Sequence, residues 1–216
     1  MVNPRRLIVV GCGGMGREAV WLARGSSSPF DVVGFLDDAD AHQGSRINGV
    51  PVVGRVSDWS RFHDTEFVVA VGSPRMRQRL VSKMCGGGAP RFASLVHESV
   101  IRPPEVPVGE GSIVSAGCVM MTNVSVGRHV ILNIKSTLSH DTSIGDFCTI
   151  APMVAVSGNV RLEPGTEVGT GACLRDGITL GRGSMAGMGS VVVRDVAARD
   201  LVVGNPARSI RQLEAF

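Results

Sequence analysis

The sequence predicts a small α/β unit followed by a parallel β-helix, and three observations carry that expectation. From Val108 to Val191 the chain divides without interruption into fourteen blocks of six residues. The first residue of a block is aliphatic or Met in thirteen of them and Ala in the last, and the fifth is always Ser, Cys, Thr, Ala, Val or Ile. The first roughly 95 residues instead alternate short apolar runs with helix-like stretches, the mark of a βαβ pattern with a parallel sheet. A proline-rich segment, RPPEVP at 102–107, stands between the two. The expected domains are therefore 1–101 and 102–216.

In the first domain RLIVVG reads as a buried strand. GCGGMGREAVWLARG follows as a glycine turn and a helix ending near Gly25. DVVGFLDD is a second strand with two acids at its end, and EFVVAVG a third, followed by a helix over PRMRQRLVSKM. RFASLVH reads as a fourth strand. Gly11, Gly13 and Gly16 fit G-x-G-x-x-G, with Asp37 about twenty residues on. Such a turn lets backbone approach a phosphate at a helix N-terminus, without saying which nucleotide. The unit is half the size of a full dinucleotide domain, so it reads as a Rossmann-like half domain.

In the second domain a period of six fits neither a helix, near 3.6, nor a strand, near 2. It fits a β-helix of hexapeptide repeats in which three blocks close one triangular coil of eighteen residues. Val108, Val126, Ile144, Leu162 and Leu180 show the eighteen-residue spacing. Positions one and five face inward. Cys118 and Cys148 fall at position five and read as packing residues. His140 and Asp141 are positions three and four of the block LSHDTS, so they face outward. Coil stacking places His140 between Thr122 and Gly158, and a glycine there leaves room for a ligand at the backbone. His129 stacks between Gly111 and Phe147 with no acid beside it, and reads as a plain surface residue. His42, His63 and His97 receive no role.

Composition narrows the function classes. The chain has 216 residues, 44% hydrophobic and 19% charged, and a net charge of +3. It lacks a basic run with interleaved aromatics, so nucleic acid is not an expected partner. Arg75, Arg77 and Arg79 read as a solvated helix face. No apolar run approaches the roughly 18 residues of a membrane span, and the N-terminus does not read as a secretory signal. Five cysteines without a CxxC pair fit reduced thiols and a cytoplasmic location.

The pieces GCGGMGREAV, GFLDD, VAVG, HVILNIKSTLSHD, SGNV, GMGSVVVRDV and VVGNPAR, in that order and spacing, make the chain resemble a family. It is the sugar acyltransferase family of the sialic-acid O-acetyltransferase and bacillosamine N-acetyltransferase type. The resemblance implies an acetyl-CoA-dependent transferase, working as a homotrimer of left-handed β-helices, with a nucleotide sugar held by the N-terminal unit. It implies His140 as general base, Asp141 as the acid that raises its basicity, and Gly158 as the glycine whose N–H meets the acetyl carbonyl. Asn133 corresponds to a residue of the acceptor pocket. Gly13, Gly14, Met15, Asp37, Asp38 and Gly72 correspond to the nucleotide-sugar pocket. Thr170 and Met188 lie where relatives contact coenzyme A, and Arg208, after GNPA, is a candidate for one of its phosphates. Three positions depart from the family pattern. Met15 replaces a histidine, Thr149 replaces a second histidine that helps hold donor or acceptor, and Lys135 stands where a small residue is common.

The implied chemistry is attack of an amine on the thioester carbonyl of acetyl-CoA. Histidine can take a proton near neutral pH, and a neighbouring carboxylate fixes its tautomer. No metal is needed. The expected acceptor is the amino group of a nucleotide-linked 4-amino-6-deoxyhexose. A hydroxyl acceptor, a non-nucleotide acceptor, a longer acyl group and a non-catalytic scaffold remain open alternatives. A β-helix metalloenzyme of the carbonic-anhydrase kind needs three converging histidines, and the repeat region contains only His129 and His140.

Overall fold

The computed structural model describes residues 5–25 and 30–216. Strand β1 (Arg6–Val10) is apolar from Leu7 onward and fully buried there. It turns through Gly11 into helix α1 (Gly14–Arg24), which ends on Gly25 as expected. The turn admits only glycine at Gly16, where a Cβ would lie 1.9 Å from the Gly11 carbonyl oxygen. Strands β2 (Asp31–Leu36) and β5 (Glu66–Val69) pair with β1 in parallel. A short hairpin, β3 (Arg46–Ile47) and β4 (Val50–Gly54), extends the sheet to the order β3-β4-β2-β1-β5. Helix α2 (Pro74–Gly86) has Pro74 in its first turn and Ser73 as N-cap, whose hydroxyl accepts the Met76 N–H at 3.4 Å. Neither helix is long and apolar enough to cross a membrane.

The repeat region forms fourteen two-residue strands, from Ile113–Val114 to Val191–Val192. They stack in three parallel sheets, each residue pairing with the one eighteen further on, as in Ile131 with Thr149 and Leu138 with Val156. Position five of every block is buried. Its side chains are small because they share the narrow interior. Most of the hydroxyls and thiols among them find a carbonyl further along: Ser112 donates to Gly127, Ser136 to Ala151 and Cys118 to Asn133, each fifteen residues on, whereas the Ser184 and Ser190 hydroxyls are buried without a partner. Position four of every block has a positive φ, between 54° and 75°. Glycine fills it seven times; Asn123, His129, Lys135, Asp141, Phe147, Met153 and Asn159 fill the rest. A side chain in that conformation costs about 1 kcal/mol, and the close coil stacking maintains it.

The segment RFASLVH departs from expectation. Phe92 bridges Phe67 beside the α/β sheet, but Leu95–Val96 pairs with Ile113–Val114 and so begins a β-helix sheet. The β-helix therefore starts ahead of the proline-rich segment, and Ile101 already bridges Val119. The α/β unit docks on the outward face of that same sheet. Ile113 and Ile131, at position six of their blocks, join Leu7, Val9 and Ala19 in one core. Elsewhere position six includes exposed residues such as Thr137 and Arg161.

Docking overturns two expectations. Arg77 is not on a solvated face but fully buried. Its guanidinium donates to the carbonyls of His129 (2.8 Å) and Phe147 (2.7 Å), to that of Gly72 and to the Thr149 hydroxyl. Burial lowers its pKa to about 10, so it stays protonated at neutral pH. His129 is likewise buried rather than exposed, stacked on Phe147 and met edge-on by Phe92. Burial, then Arg77 and Arg128, lowers its pKa to about 4. The unfolded chain therefore takes up this proton near pH 6.5, while the folded chain refuses it until about pH 4. Stability is expected to fall as pH drops through that window, by up to roughly 3 kcal/mol from this group. Urea denaturation at neutral pH and near pH 4 should show a smaller loss in His129→Asn, which keeps a residue tolerant of the left-handed backbone. Arg77→Met should lower stability at neutral pH by about 3 kcal/mol, since it strips several buried carbonyls of their donor.

Candidate active site

The three edges of the β-helix prism can be followed by their backbone hydrogen bonds. One edge runs through Thr122, His140 and Gly158: Asp141 N donates to Thr122 O, Asn159 N to His140 O and Gly177 N to Gly158 O. A second runs through Ala116, Ile134, Pro152 and Thr170, whose carbonyls receive the N–H groups of Lys135, Met153, Gly171 and Gly189. The third carries Glu110, Arg128 and Asp146 beside the buried joint.

On the first edge His140 and Asp141 form the expected pair. Nδ1 of His140 lies 2.8 Å from Oδ2 of Asp141. The two sit on adjacent positions, which turns their side chains together only because Asp141 has φ 58°. The second carboxylate oxygen accepts a hydrogen bond from Asn123 Nδ2 at 2.9 Å, from the coil before. The Asn123 bond, followed by the His140 contact, holds the Asp141 carboxyl below its ordinary pKa. With Nδ1–H directed at Asp141, Nε2 is the lone pair available for a proton. The imidazole lies over Gly158, where a Cβ would come within 2.5 Å of Cε1 and 2.6 Å of Nε2. Both side chains of the pair are about half exposed, so the site is open along the prism edge.

Asn123 was not singled out from sequence. Its signal is the eighteen-residue offset from Asp141 combined with position four, which puts one polar group above the other.

The remaining candidates fall into three places. Gly13 and Gly14 are exposed at the start of α1. Met15 lines a cavity with Glu18, Trp21, Leu22, Ser115 and Ile134, so the glycine turn faces the second edge of the prism. Asn133 lies beside it, half-buried, its amide donating to Ile150 O at 3.0 Å. Asp37 and Asp38 directly follow β2, and both are engaged within the domain. Asp37 accepts the N–H groups of Cys12 (3.0 Å) and Ala39 (2.9 Å), which with other hydrogen bonds offset burial and lower its pKa to about 2. Asp38 accepts Val56 N and Lys83 Nζ. Thr170 and Met188 are exposed on the second prism edge, away from His140, and Arg208 is exposed on the C-terminal hairpin.

Thr149 requires a correction. The resemblance implies that its position, and with it a coenzyme-binding role, faces donor or acceptor, but it points into the domain joint, 7% exposed. Its hydroxyl donates to Gly72 O at 2.6 Å and accepts from Arg77. The carbonyl of Gly72 is tied down in the same joint. His129 and His140 stand on different edges, so no pair of histidines converges on a metal in the repeat region.

Asn123→Gly is the cleanest probe of the His140–Asp141 alignment, since glycine keeps the left-handed backbone and deletes only the amide. We expect kcat for transfer to drop roughly tenfold with substrate KM values unchanged, a smaller loss than the 10²–10⁴-fold typical of removing a general base. Gly158→Ala should displace the imidazole and reduce kcat at least as much, with the melting temperature as the control for folding.

Comparison with known proteins agrees with this architecture. Residues 6–84 match the family model described as the PglD N-terminal domain. The GDP-perosamine N-acetyltransferase of Escherichia coli O157:H7 is 30% identical over 215 residues, covering 94% of this chain and 96% of that enzyme. The acetyltransferase domain of PglB from Neisseria gonorrhoeae FA1090, solved with acetyl coenzyme A, superposes with a TM-score of 0.87 at 34% identity. That match covers 96% of this chain and 100% of the other. PerB from Caulobacter crescentus, solved with CoA and GDP-perosamine, gives 0.86 at 29% identity, covering 95% and 97%. Variants of that enzyme with one histidine replaced by asparagine or alanine were solved with the same two ligands. The chain belongs to this family of sugar N-acetyltransferases, built from a Rossmann-like half domain and a hexapeptide β-helix, and is an acyltransferase.

Proposed function

We propose that the protein transfers the acetyl group of acetyl-CoA to the amino group of a nucleotide-linked 4-amino-6-deoxyhexose, with His140 as general base. The observation that carries this is the His140–Asp141 pair laid over a glycine on an open prism edge. The near full-length similarity to a GDP-perosamine N-acetyltransferase supports a GDP-linked sugar as the acceptor.

In this reading the sugar amine attacks the thioester carbonyl, a C–N bond forms and the carbonyl oxygen takes up negative charge. The Gly158 N–H is assigned to that oxygen, where a fixed donor stabilises developing charge without reorganisation. His140 Nε2 accepts the proton lost by the amine, and Asp141 stabilises the resulting imidazolium. The intermediate collapses with cleavage of the C–S bond, and the proton passes to the departing coenzyme A sulfur. The glycine turn Gly13–Gly14–Met15 at the N-terminus of α1 suits the diphosphate of the nucleotide sugar, by exposed backbone N–H groups and the helix dipole.

The same reading requires more than one copy. His140, Asp141 and Gly158 lie on one prism edge, whereas Thr170 and Met188, assigned to the coenzyme, lie on another. A cyclic homotrimer places the first edge of one copy against the second edge of the next and completes three equal sites. Two experiments test these points. Acetyl transfer to GDP-perosamine, followed as thiol release, is expected for wild type and should fall at least 10²-fold in His140→Ala with coenzyme binding retained. Mixing inactive His140→Ala with an inactive Met188→Glu variant, then unfolding and refolding them together, should restore a fraction of the activity. Failure to restore any would place both residue sets in one chain's site.

A further inference from the structure

The reaction uses only part of the chemistry gathered at the carboxyl end of the α/β sheet. Cys12 follows β1, Asp37 follows β2, and His42 ends the short 3-10 turn Asp40–His42. Their donor atoms converge. Cys12 Sγ lies 3.2 Å from Asp37 Oδ2 and 3.1 Å from His42 Nδ1, and that nitrogen lies 3.1 Å from Asp37 Oδ1. No other group of three such ligands comes together among the described residues.

Each donor is held before any cation arrives. The Cys12 and Ala39 N–H groups grip one carboxylate oxygen each. Gln43 Nε2 donates to the Asp37 carbonyl at 2.7 Å, and Ser45 Oγ to that of His42 at 2.6 Å. Backbone and amide contacts of this kind are what orients ligands in built metal sites. In a tetrahedral site with bonds of about 2.3 Å to sulfur and 2.0 Å to nitrogen, S and N stand about 3.5 Å apart. The cluster reaches that by a spread of a few tenths of an ångström. Cys12 is buried, while the His42 side chain is 40% exposed, so a fourth position opens towards solvent. Sulfur, imidazole nitrogen and both carboxylate oxygens are thus already in mutual contact without a cation.

We propose that Cys12, Asp37 and His42 form a binding site for a thiophilic divalent cation of the zinc type, with three protein ligands and one open position. The site lies in the α/β unit and includes Asp37, which the family resemblance also places in the nucleotide-sugar pocket; it does not depend on the acetyl-transfer reading. A soft thiolate and an imidazole select such a cation over magnesium or calcium, which take oxygen donors. Burial and the neighbouring Asp37 push the Cys12 thiol up to about 11, so binding must displace its proton.

Cobalt(II) titration of the full chain, stripped with chelator, is the direct test. The expected result is one equivalent bound with a near-ultraviolet thiolate-to-cobalt charge-transfer band, displaced by zinc. The band should vanish in Cys12→Ser, weaken at least tenfold in affinity in His42→Ala, and survive the double change Cys85→Ser and Cys173→Ser, which removes the two exposed thiols. Circular dichroism of Cys12→Ser should match wild type. No charge-transfer band in wild type, or a band that persists in Cys12→Ser, overturns the assignment.

Discussion

In a β-helix each coil rests on the one below through backbone hydrogen bonds between residues eighteen apart, and that register controls the rest of this protein. It buries positions one and five in a column too narrow for large side chains. It forces position four into the left-handed conformation at every turn, glycine or not. It also turns the one-dimensional sequence into three edges, so that Thr122, His140 and Gly158 become vertical neighbours. Asn123 reaches Asp141, and the imidazole lies over a missing side chain, only because no insertion breaks the register. A one-residue slip would turn His140 and Asp141 out of this alignment and move Gly158 from beneath the ring.

The α/β unit depends on the same lattice. It sits on one outward sheet face, where Ile113 and Ile131 supply apolar contacts and Arg77 reaches down to the carbonyls of the third edge. Carbonyls at a turn are poor partners for apolar packing but good partners for a guanidinium, which carries five donors in a plane. The buried Arg77 has no carboxylate among its hydrogen-bond partners, so its value lies in fixing how the two parts meet. That fixation brings the glycine turn and Met15 against the second prism edge at Ser115 and Ile134. Thr149 belongs to this joint. A hydroxyl there can bond Gly72 and Arg77 together, in place of the family's histidine.

Much of this was legible in the sequence because a period of six is a long-range signal written locally. The repeat, the inward positions and the stacking of His140 on Gly158 follow from counting, and so does the contact of His129 with Phe147. The exposure of His129 and Arg77 did not follow, because burial there depends on a second domain whose docking face carries no local marker. A trace of it exists: position six is isoleucine at 113 and 131, where other coils carry polar residues such as Thr137 and Arg161. The strand Leu95–Val96 also continues the eighteen-residue spacing upstream of the proline segment, since Leu95 stands eighteen before Ile113. Asn123 escaped notice because its role is a side-chain contact between coils, visible only once position four is known to face its counterparts.

In the proposed reaction one prism edge supplies the base while a neighbouring copy's edge supplies the coenzyme surface. A crystal structure with coenzyme A and a GDP-linked 4-amino sugar is the decisive measurement. The amine nitrogen is expected about 2.6–3.2 Å from His140 Nε2, with the coenzyme sulfur nearby and the pantetheine against Thr170 and Met188 of a second chain. An amine bound out of reach of His140, or a coenzyme held wholly by the chain that supplies the histidine, would contradict it.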